Sequence, residues 1–163
     1  MKKHILTLLT AIIMTVPAVA QSNLKKVYDE TLNQKEQIES AISKADKEDK
    51  FVICQVGGNW CKWCLMFAEY INSDDEIKNL VNDNFVYIHV NHNPKVKAAS
   101  LPVDVQKSLG NPLRFGFPVL VVLDSDGKLL HIQDSSFLEE GNGYNKAKVL
   151  RFFKNWTPGA VGK

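Results

Sequence analysis

The feature that most constrains the fold is an apolar segment that leads directly into a pair of cysteines. Phe51 to Val56 is rich in β-branched and aromatic residues and is followed by two glycines, which predicts a buried strand that ends in a sharp turn. Cys61 and Cys64 come next, and the apolar residues from there to Ile71 predict a helix that begins at the cysteines. A strand, a Cys-x-x-Cys pair and a helix in this order indicate a redox site.

The spacing of the two cysteines suits thiol–disulfide exchange. Exchange needs one thiolate that attacks a disulfide and a second cysteine that is close enough to resolve the mixed disulfide. At the start of a helix, unpaired backbone N–H groups stabilise a thiolate on the first cysteine, and the second cysteine lies about one turn further on. We therefore predict that Cys61 is the nucleophile and that Cys64 is the resolving thiol.

Three side chains next to the cysteines are candidates for substrate binding. Trp60 and Trp63 flank the pair and offer a flat apolar rim on which a peptide could dock, although ordinary packing would also account for them. Lys62 places a cation beside the cysteines. That cation favours a thiolate if the side chain turns towards it, and a fully solvated lysine is the alternative.

The first twenty residues have the layout of a cleavable export signal. Lys2 and Lys3 precede an apolar run from Ile5 to Val16, and Ala18-Val19-Ala20 forms a small-residue cleavage site. The run is too short to span a bilayer, and a core helix seldom combines a cationic flank with an Ala-x-Ala end. We predict a signal peptide over residues 1–20 and an exported protein, periplasmic or secreted, with no membrane span once the signal is removed.

Charge and length narrow the class of protein. The full chain has 20 basic and 18 acidic residues, and removal of the predicted signal leaves 18 of each, with no basic block that would bind nucleic acid. The remaining 143 residues suit one domain with a substantial core. We predict a single domain over residues 21–163, with a helical extension at about 22–47 and a core at about 48–156.

The remaining hydrophobic patterns predict an α/β protein. The predicted elements are a helical segment from Asn23 to Lys47, the strand and helix around the cysteines, a helix capped by Ser73 to Glu76, a strand from Phe85 to Val90, a mostly helical connection from Lys95 to Gly110, a hairpin of Val119 to Leu123 and Lys128 to Gln133, a helix from Asn145 to Trp156, and a loose tail from Thr157 to Lys163. This order predicts a central mixed β-sheet flanked by helices on both faces.

Two motifs resemble those of the thioredoxin superfamily. Residues 51–64 resemble its first core strand and its Trp-Cys-x-x-Cys site, and residues 117–124 resemble its cis-proline strand. The resemblance implies a thioredoxin fold in which Pro118 is cis and lies against Cys61, while the backbone of Phe117 pairs with substrate. Within the superfamily, the chain is most similar to exported thioredoxin-like proteins related to the C-terminal domain of Dsb-type interchange proteins.

The resemblance covers about residues 40–156 and implies a function. It implies an exported thiol-disulfide oxidoreductase that reduces disulfides of other exported proteins, exchanges electrons with a redox partner protein, and needs no cofactor beyond a redox-active disulfide between Cys61 and Cys64. The alternative is a metal (copper) carrier, or a partner-binding thioredoxin-like module with little redox turnover.

The chain departs from the thioredoxin pattern at two places. Thioredoxins place a buried aspartate six residues before the first cysteine, where it helps to deprotonate the resolving thiol, and this chain has Gln55 there. Glutamine takes no proton, so either the resolving step is slower or water or another group such as Glu69 serves instead. The dipeptide Lys62-Trp63 replaces the usual Gly-Pro and leaves the direction of electron flow open.

A third cysteine and two histidines have simpler explanations than chemistry. Cys54 lies within the predicted strand, which predicts a packing role, with a regulatory thiol as the alternative. His89 and His92 are three residues apart across a strand end and would tend to point in different directions. We predict no metal site at this pair, nor a closed zinc site at the cysteines, because zinc needs four ligands.

Overall fold

The computed structural model describes residues 24–163 and builds them around a four-stranded sheet. The strands are β1 (Phe51–Gly57), β2 (Phe85–Asn91), β3 (Val119–Leu123) and β4 (Leu129–Asp134), in the spatial order β2-β1-β3-β4. β1 is parallel to β2 and antiparallel to β3, and β4 is antiparallel to β3. The mixed sheet predicted from the sequence is confirmed, whereas the signal predicted over residues 1–20 lies outside the described residues.

Helices cover both faces of this sheet. They are α1 (Gln34–Lys47), α2 (Lys62–Ser73), α3 (Asp75–Asn84), α4 (Val103–Ser108), α5 (Lys146–Asn155) and α6 (Pro158–Val161). α1 and α4 pack on one face, and α2, α3 and α5 pack on the other. Within residues 24–163, no helix is both long enough and apolar enough to cross a membrane.

The central strand β1 is buried along its whole length because helices pack on both sides of it. Val52, Cys54 and Val56 belong to the core that α1 covers. Phe51 and Ile53 belong to the core on the opposite face, together with α2, α3 and α5. A strand that is buried on both faces reads as a continuous apolar run, which is the pattern visible in the sequence.

The helical segment predicted from Asn23 to Lys47 is wrong over residues 24–33. The helix begins only at Gln34, and Asn33 caps it by accepting hydrogen bonds from the backbone N–H groups of Lys35 and Glu36. Residues 24–32 are not helical. Their apolar side chains pack on the cysteines and α2 instead, so their spacing comes from contacts with the site and not from a helical period.

The prediction of a loose tail from Thr157 to Lys163 is also wrong. Thr157 caps the short helix α6 through a hydrogen bond from the backbone N–H of Ala160. The Nζ of Lys163 then lies 3.2 Å from Asp124 Oδ2 and 3.0 Å from Asp126 Oδ2, in the turn between β3 and β4. The chain end is therefore held against the sheet by contacts that no local pattern predicts.

A short hairpin between β4 and α5 has no counterpart in the sequence prediction. Its strands are β5 (Glu139–Glu140) and β6 (Gly143–Tyr144). β6 contacts α2, and the Tyr144 hydroxyl donates a 3.1 Å hydrogen bond to the carbonyl oxygen of Trp63. The hairpin therefore supports the first turn of the helix that starts at the cysteines.

Candidate active site

Cys61 and Cys64 lie where β1 gives way to α2, and a disulfide joins them. Cys61 is the N-cap of α2, and its Sγ accepts a 3.1 Å hydrogen bond from the backbone N–H of Cys64. A helix N-terminus favours negative charge because its first N–H groups have no partners within the helix. The geometry therefore places a stabilising environment at the Cys61 sulfur.

The two cysteines differ in exposure. Cys61 retains 7% of its accessible surface, whereas Cys64 is completely buried. An approaching sulfur atom from another molecule therefore meets Cys61 first. The division of roles, in which Cys61 attacks and Cys64 resolves, stays a prediction.

An aromatic rim borders the disulfide on its exposed side. Trp60 is 48% exposed, and its indole N–H donates a 2.8 Å hydrogen bond to the carbonyl oxygen of His92. The ring of Phe117 meets Trp60 edge-on at 5.4 Å and stacks on the His92 ring at 5.5 Å. The Phe117–Pro118 peptide bond is cis, and Phe117 packs against the cluster that contains both cysteines.

The two residues between the cysteines point to different surroundings. Lys62 is exposed to solvent. Trp63 is half-buried, and its ring meets Tyr144 edge-on at 5.6 Å. Trp60 and Phe117 therefore form the open part of the rim, while much of the Trp63 ring packs against the hairpin.

Beneath the cysteines lies a buried network of neutral polar groups. Gln55 is fully buried, and its Nε2 donates to Tyr28 Oη at 2.6 Å and to the carbonyl oxygen of Cys64 at 2.9 Å. The Tyr87 hydroxyl donates to Gln55 Oε1 at 2.6 Å. Glu69, the acidic side chain considered from the sequence, is exposed and lines a groove with Lys25 on the outer side of α2.

Sequence reasoning misses Tyr28 altogether. The residue falls within the segment mistaken for a helix, and its contact with Gln55 joins positions 27 residues apart. Burial raises the pKa of the Tyr28 phenol well above its usual value, with a smaller opposing effect from the Gln55 hydrogen bond. Tyr28 therefore stays neutral at every pH at which a thiol exchanges.

The third cysteine and the histidines lie apart from the disulfide chemistry. Cys54 is fully buried and free, and burial raises the pKa of its thiol to about 12. His92 Nδ1 accepts a 3.1 Å hydrogen bond from the backbone N–H of Leu101. Burial lowers the pKa of His89 to about 4, and its Nε2 has no hydrogen-bond partner among the residues that the structure describes. Within residues 24–163, no group of three His, Cys, Asp or Glu side chains is placed to hold a metal ion.

Two solved structures are similar to this chain to different degrees. A disulphide isomerase from Xylella fastidiosa Temecula1 has a TM-score of 0.66 and 22% identity, over 81% of this chain and 97% of that one. The DsbD C-terminal domain of Neisseria meningitidis in the oxidised form has a TM-score of 0.49 and 24% identity, over 75% and 95%. The first of these similarities confirms the predicted thioredoxin fold.

Sequence comparisons identify a family and a relative that matches part of the chain. The model of the family named Thioredox_DsbH, described as a protein of unknown function, DUF255, matches residues 18–155. Spermatogenesis-associated protein 20 of Rattus norvegicus is 40% identical over 52 residues, which are 32% of this chain. The matched segment spans 7% of the length of that curated relative.

Proposed function

The chain belongs to the Thioredox_DsbH family, DUF255, and from that premise we propose that it is an exported thiol-disulfide oxidoreductase that reduces disulfide bonds in other exported proteins. The observation that supports this most is the disulfide between a slightly exposed Cys61 and a buried Cys64 at the start of α2. This arrangement provides one sulfur that a substrate reaches and a second that closes the cycle.

The reaction proceeds in two exchanges. The Cys61 thiolate attacks one sulfur of the substrate disulfide, which breaks that bond, forms a mixed disulfide and releases the other substrate sulfur as a thiolate. Cys64 then loses its proton and attacks Cys61 Sγ, which forms the Cys61–Cys64 disulfide and releases the second substrate sulfur. Two electrons pass from the cysteine pair to the substrate, and the two substrate thiolates take up protons from water.

The cycle requires a reduced starting state. A redox partner protein with its own dithiol reduces the Cys61–Cys64 disulfide by the same exchange in the opposite direction. The hydrogen bond from the Cys64 N–H to Cys61 Sγ, 3.1 Å long, holds the sulfur that both partners approach. That bond and the dipole of α2 favour Cys61 as the leaving and attacking thiolate.

The aromatic rim supplies the docking surface for the substrate. Trp60 and Phe117 lie beside the cysteines, and the exposed ring of Trp60 provides apolar area next to the cis Phe117–Pro118 peptide bond. An unfolded or flexible peptide around a substrate disulfide can pack on these rings while its backbone pairs with Phe117. Lys62 and Trp63 border the same surface and contribute to substrate choice.

The test is capture of a mixed disulfide with a protein that starts at Gln21. The reduced Cys64→Ser variant is mixed with oxidised insulin, and we expect a disulfide-linked adduct that dithiothreitol reverses. Cys61→Ser is the matched control and should capture nothing, whereas Cys54→Ala should behave as the unmodified protein. Equal absence of an adduct with Cys64→Ser and Cys61→Ser would contradict the proposal and favour a metal carrier or a binding module.

The direction of electron flow follows from the reduction potential of the couple. Equilibration with glutathione or dithiothreitol buffers gives this value directly. We expect a potential nearer to the thioredoxin value of roughly −270 mV than to the roughly −120 mV of a strong oxidant. A value at the oxidising end would reverse the assigned direction while leaving the exchange chemistry intact.

A further inference from the structure

A tyrosine hydroxyl lies near the buried sulfur of the cysteine pair. Tyr28 is only 4% exposed and packs in the cluster that contains Cys61, Cys64 and Leu65. A Cβ atom built on Gly57 would lie 2.5 Å from Cys64 Sγ and 2.9 Å from Tyr28 Oη. The sulfur and the hydroxyl oxygen therefore both lie close to the bare backbone of Gly57.

The loop that precedes the cysteines holds Tyr28 in this place. Asn59 Oδ1 accepts hydrogen bonds of 3.1 Å from the backbone N–H groups of Val27 and Tyr28. Asn59 Nδ2 donates to the carbonyl oxygen of Tyr28 at 2.8 Å and to Glu30 Oε1 at 3.0 Å. One side chain thus fastens the non-helical N-terminal segment to the site, with the phenol turned inward.

The bonding of the hydroxyl leaves its hydrogen unused. Gln55 Nε2 donates to Tyr28 Oη, so the oxygen already acts as an acceptor. Within residues 24–163, the hydroxyl donates to no protein acceptor while the cysteines form a disulfide. A thiolate on Cys64 would supply an acceptor near this hydroxyl, whose hydrogen the bond from Gln55 leaves available.

We propose that Tyr28 donates a hydrogen bond to the Cys64 sulfur when that sulfur ionises, and so assists the resolving step where a thioredoxin uses a buried carboxylate. The assignment rests on the proposed function, in which Cys64 must become a thiolate. A hydrogen bond to a charged acceptor in a buried site is stronger than one between neutral groups. The donor therefore favours the thiolate over the thiol.

The step balances without any proton transfer from Tyr28. Cys64 releases its proton to water, and its thiolate attacks Cys61 Sγ of the mixed disulfide. The bond between Cys64 and Cys61 forms, the bond between Cys61 and the substrate breaks, and the substrate sulfur leaves with the electron pair. Tyr28 keeps its proton throughout, because burial raises the pKa of its phenol well above the usual value.

Neighbouring groups support a neutral donor in this place. Tyr87 donates to Gln55 Oε1 and Gln55 donates to Tyr28 Oη, so each bond polarises the next towards the sulfur. Gln55 also donates to the Cys64 carbonyl oxygen, which fixes the amide between the phenol and the helix. The only acidic side chain considered from the sequence, Glu69, is exposed on the outer side of α2.

The test follows the ionisation of Cys64 in a Cys61→Ser background. Cysteine labelled with carbon-13 at Cβ reports the thiolate by NMR, and Cys54 stays protonated in the range used because burial raises its pKa to about 12. We expect Tyr28→Phe to move the ionisation midpoint of Cys64 up by about 1 to 2 pH units, the size of one hydrogen bond to a charged group. Tyr87→Phe is the matched control: its hydroxyl acts on the sulfur only through Gln55 and Tyr28, so this variant should move the midpoint much less.

A second variant tests whether the shift depends on the position of the Tyr28 side chain. Asn59→Ala keeps the Tyr28 side chain but removes the four hydrogen bonds that hold its segment. We expect it to raise the midpoint as Tyr28→Phe does. In the protein with both cysteines, Tyr28→Phe should accumulate the mixed disulfide with insulin at pH 7, while the rate of the first attack, measured with Cys64→Ser, should not change.

Two results would overturn the assignment. One is an unchanged midpoint in Tyr28→Phe, and the other is an equal rise in Tyr28→Phe and Tyr87→Phe, which would indicate general loosening of the network. The titration needs no substrate, so it is independent of the proposed function. If the protein captures no substrate disulfide but Tyr28→Phe still shifts the midpoint, the Tyr28 contact is supported and the proposed reductase function is wrong.

Discussion

Replacement of Gly57 by alanine should weaken the oxidised form of this protein more than the reduced form. A Cβ at this position would lie 2.5 Å from Cys64 Sγ, 2.9 Å from Tyr28 Oη and 3.3 Å from Cys64 Cβ. None of these atoms is at the end of a long flexible side chain. The new methyl group must therefore push the sulfur, the phenol or the backbone out of place.

The free-energy cost of Gly57→Ala comes from overpacking, and it differs between the disulfide and dithiol forms. Forcing an extra carbon into a packed core costs about 1–3 kcal/mol. In the dithiol form the Cys64 side chain is free to rotate away, whereas in the disulfide form it is tied to Cys61. If about 1–2 kcal/mol of the cost falls on the disulfide form alone, the couple becomes more oxidising by about 20–45 mV, since 1.4 kcal/mol corresponds to about 30 mV.

The assay combines redox equilibration with thermal unfolding of both forms. We expect Gly57→Ala to raise the reduction potential. We also expect it to lower the melting temperature of the oxidised form more than that of the reduced form. Gly116→Ala is the matched control, because a Cβ there meets nothing within 4 Å. Equal destabilisation of the two forms, or a potential identical to that of the control, would refute the reasoning.

Two further predictions concern buried titratable groups. Burial lowers the pKa of His89 to about 4, below its unfolded value of about 6.5. The contribution of neutral His89 to the folding free energy is therefore fully present above pH 6.5 and is lost as the pH falls towards 4. Urea unfolding measures how much stability each protein loses between pH 7 and pH 4. In His89→Leu this loss should be smaller by roughly 2–3 kcal/mol than in the unmodified protein. Equal losses in the variant and the unmodified protein would contradict the assignment. Burial raises the pKa of Cys54 to about 12, so in the oxidised protein iodoacetamide at pH 8 should label Cys54 only after unfolding, and rapid labelling of the native protein would contradict its placement in the core.

A neutral network beneath a reactive pair changes how the resolving step depends on pH. A buried carboxylate takes up a proton and makes the step sensitive to its own ionisation. Gln55, Tyr28 and Tyr87 stay uncharged, because glutamine does not titrate and burial raises the pKa of both phenols. The resolving step should therefore follow the ionisation of Cys64 alone.

The most local features of this protein could be read from its sequence. The strand from Phe51, the paired cysteines and the following helix occupy neighbouring positions, and each leaves its own period or turn signal. The Phe117-Pro118 motif at the start of a second apolar run was assigned to the site through its resemblance to the cis-proline strand of thioredoxins. Such features depend mainly on residues close in the chain, so the sequence alone determined the fold class and the position of the disulfide.

What lies beneath and beside that disulfide was decided only in three dimensions. Leu24, Val27 and Tyr28 lie in a segment whose apolar spacing resembles that of a helix, yet they pack on the cysteines. Asn59, about 30 residues away, holds this segment by pairing with the backbone of Val27 and Tyr28. The hydrogen bond between Gln55 and Tyr28 likewise joins positions 27 residues apart. A single contact between distant residues leaves no period in the sequence, and its geometry exists only once the sheet and α2 have brought both partners together.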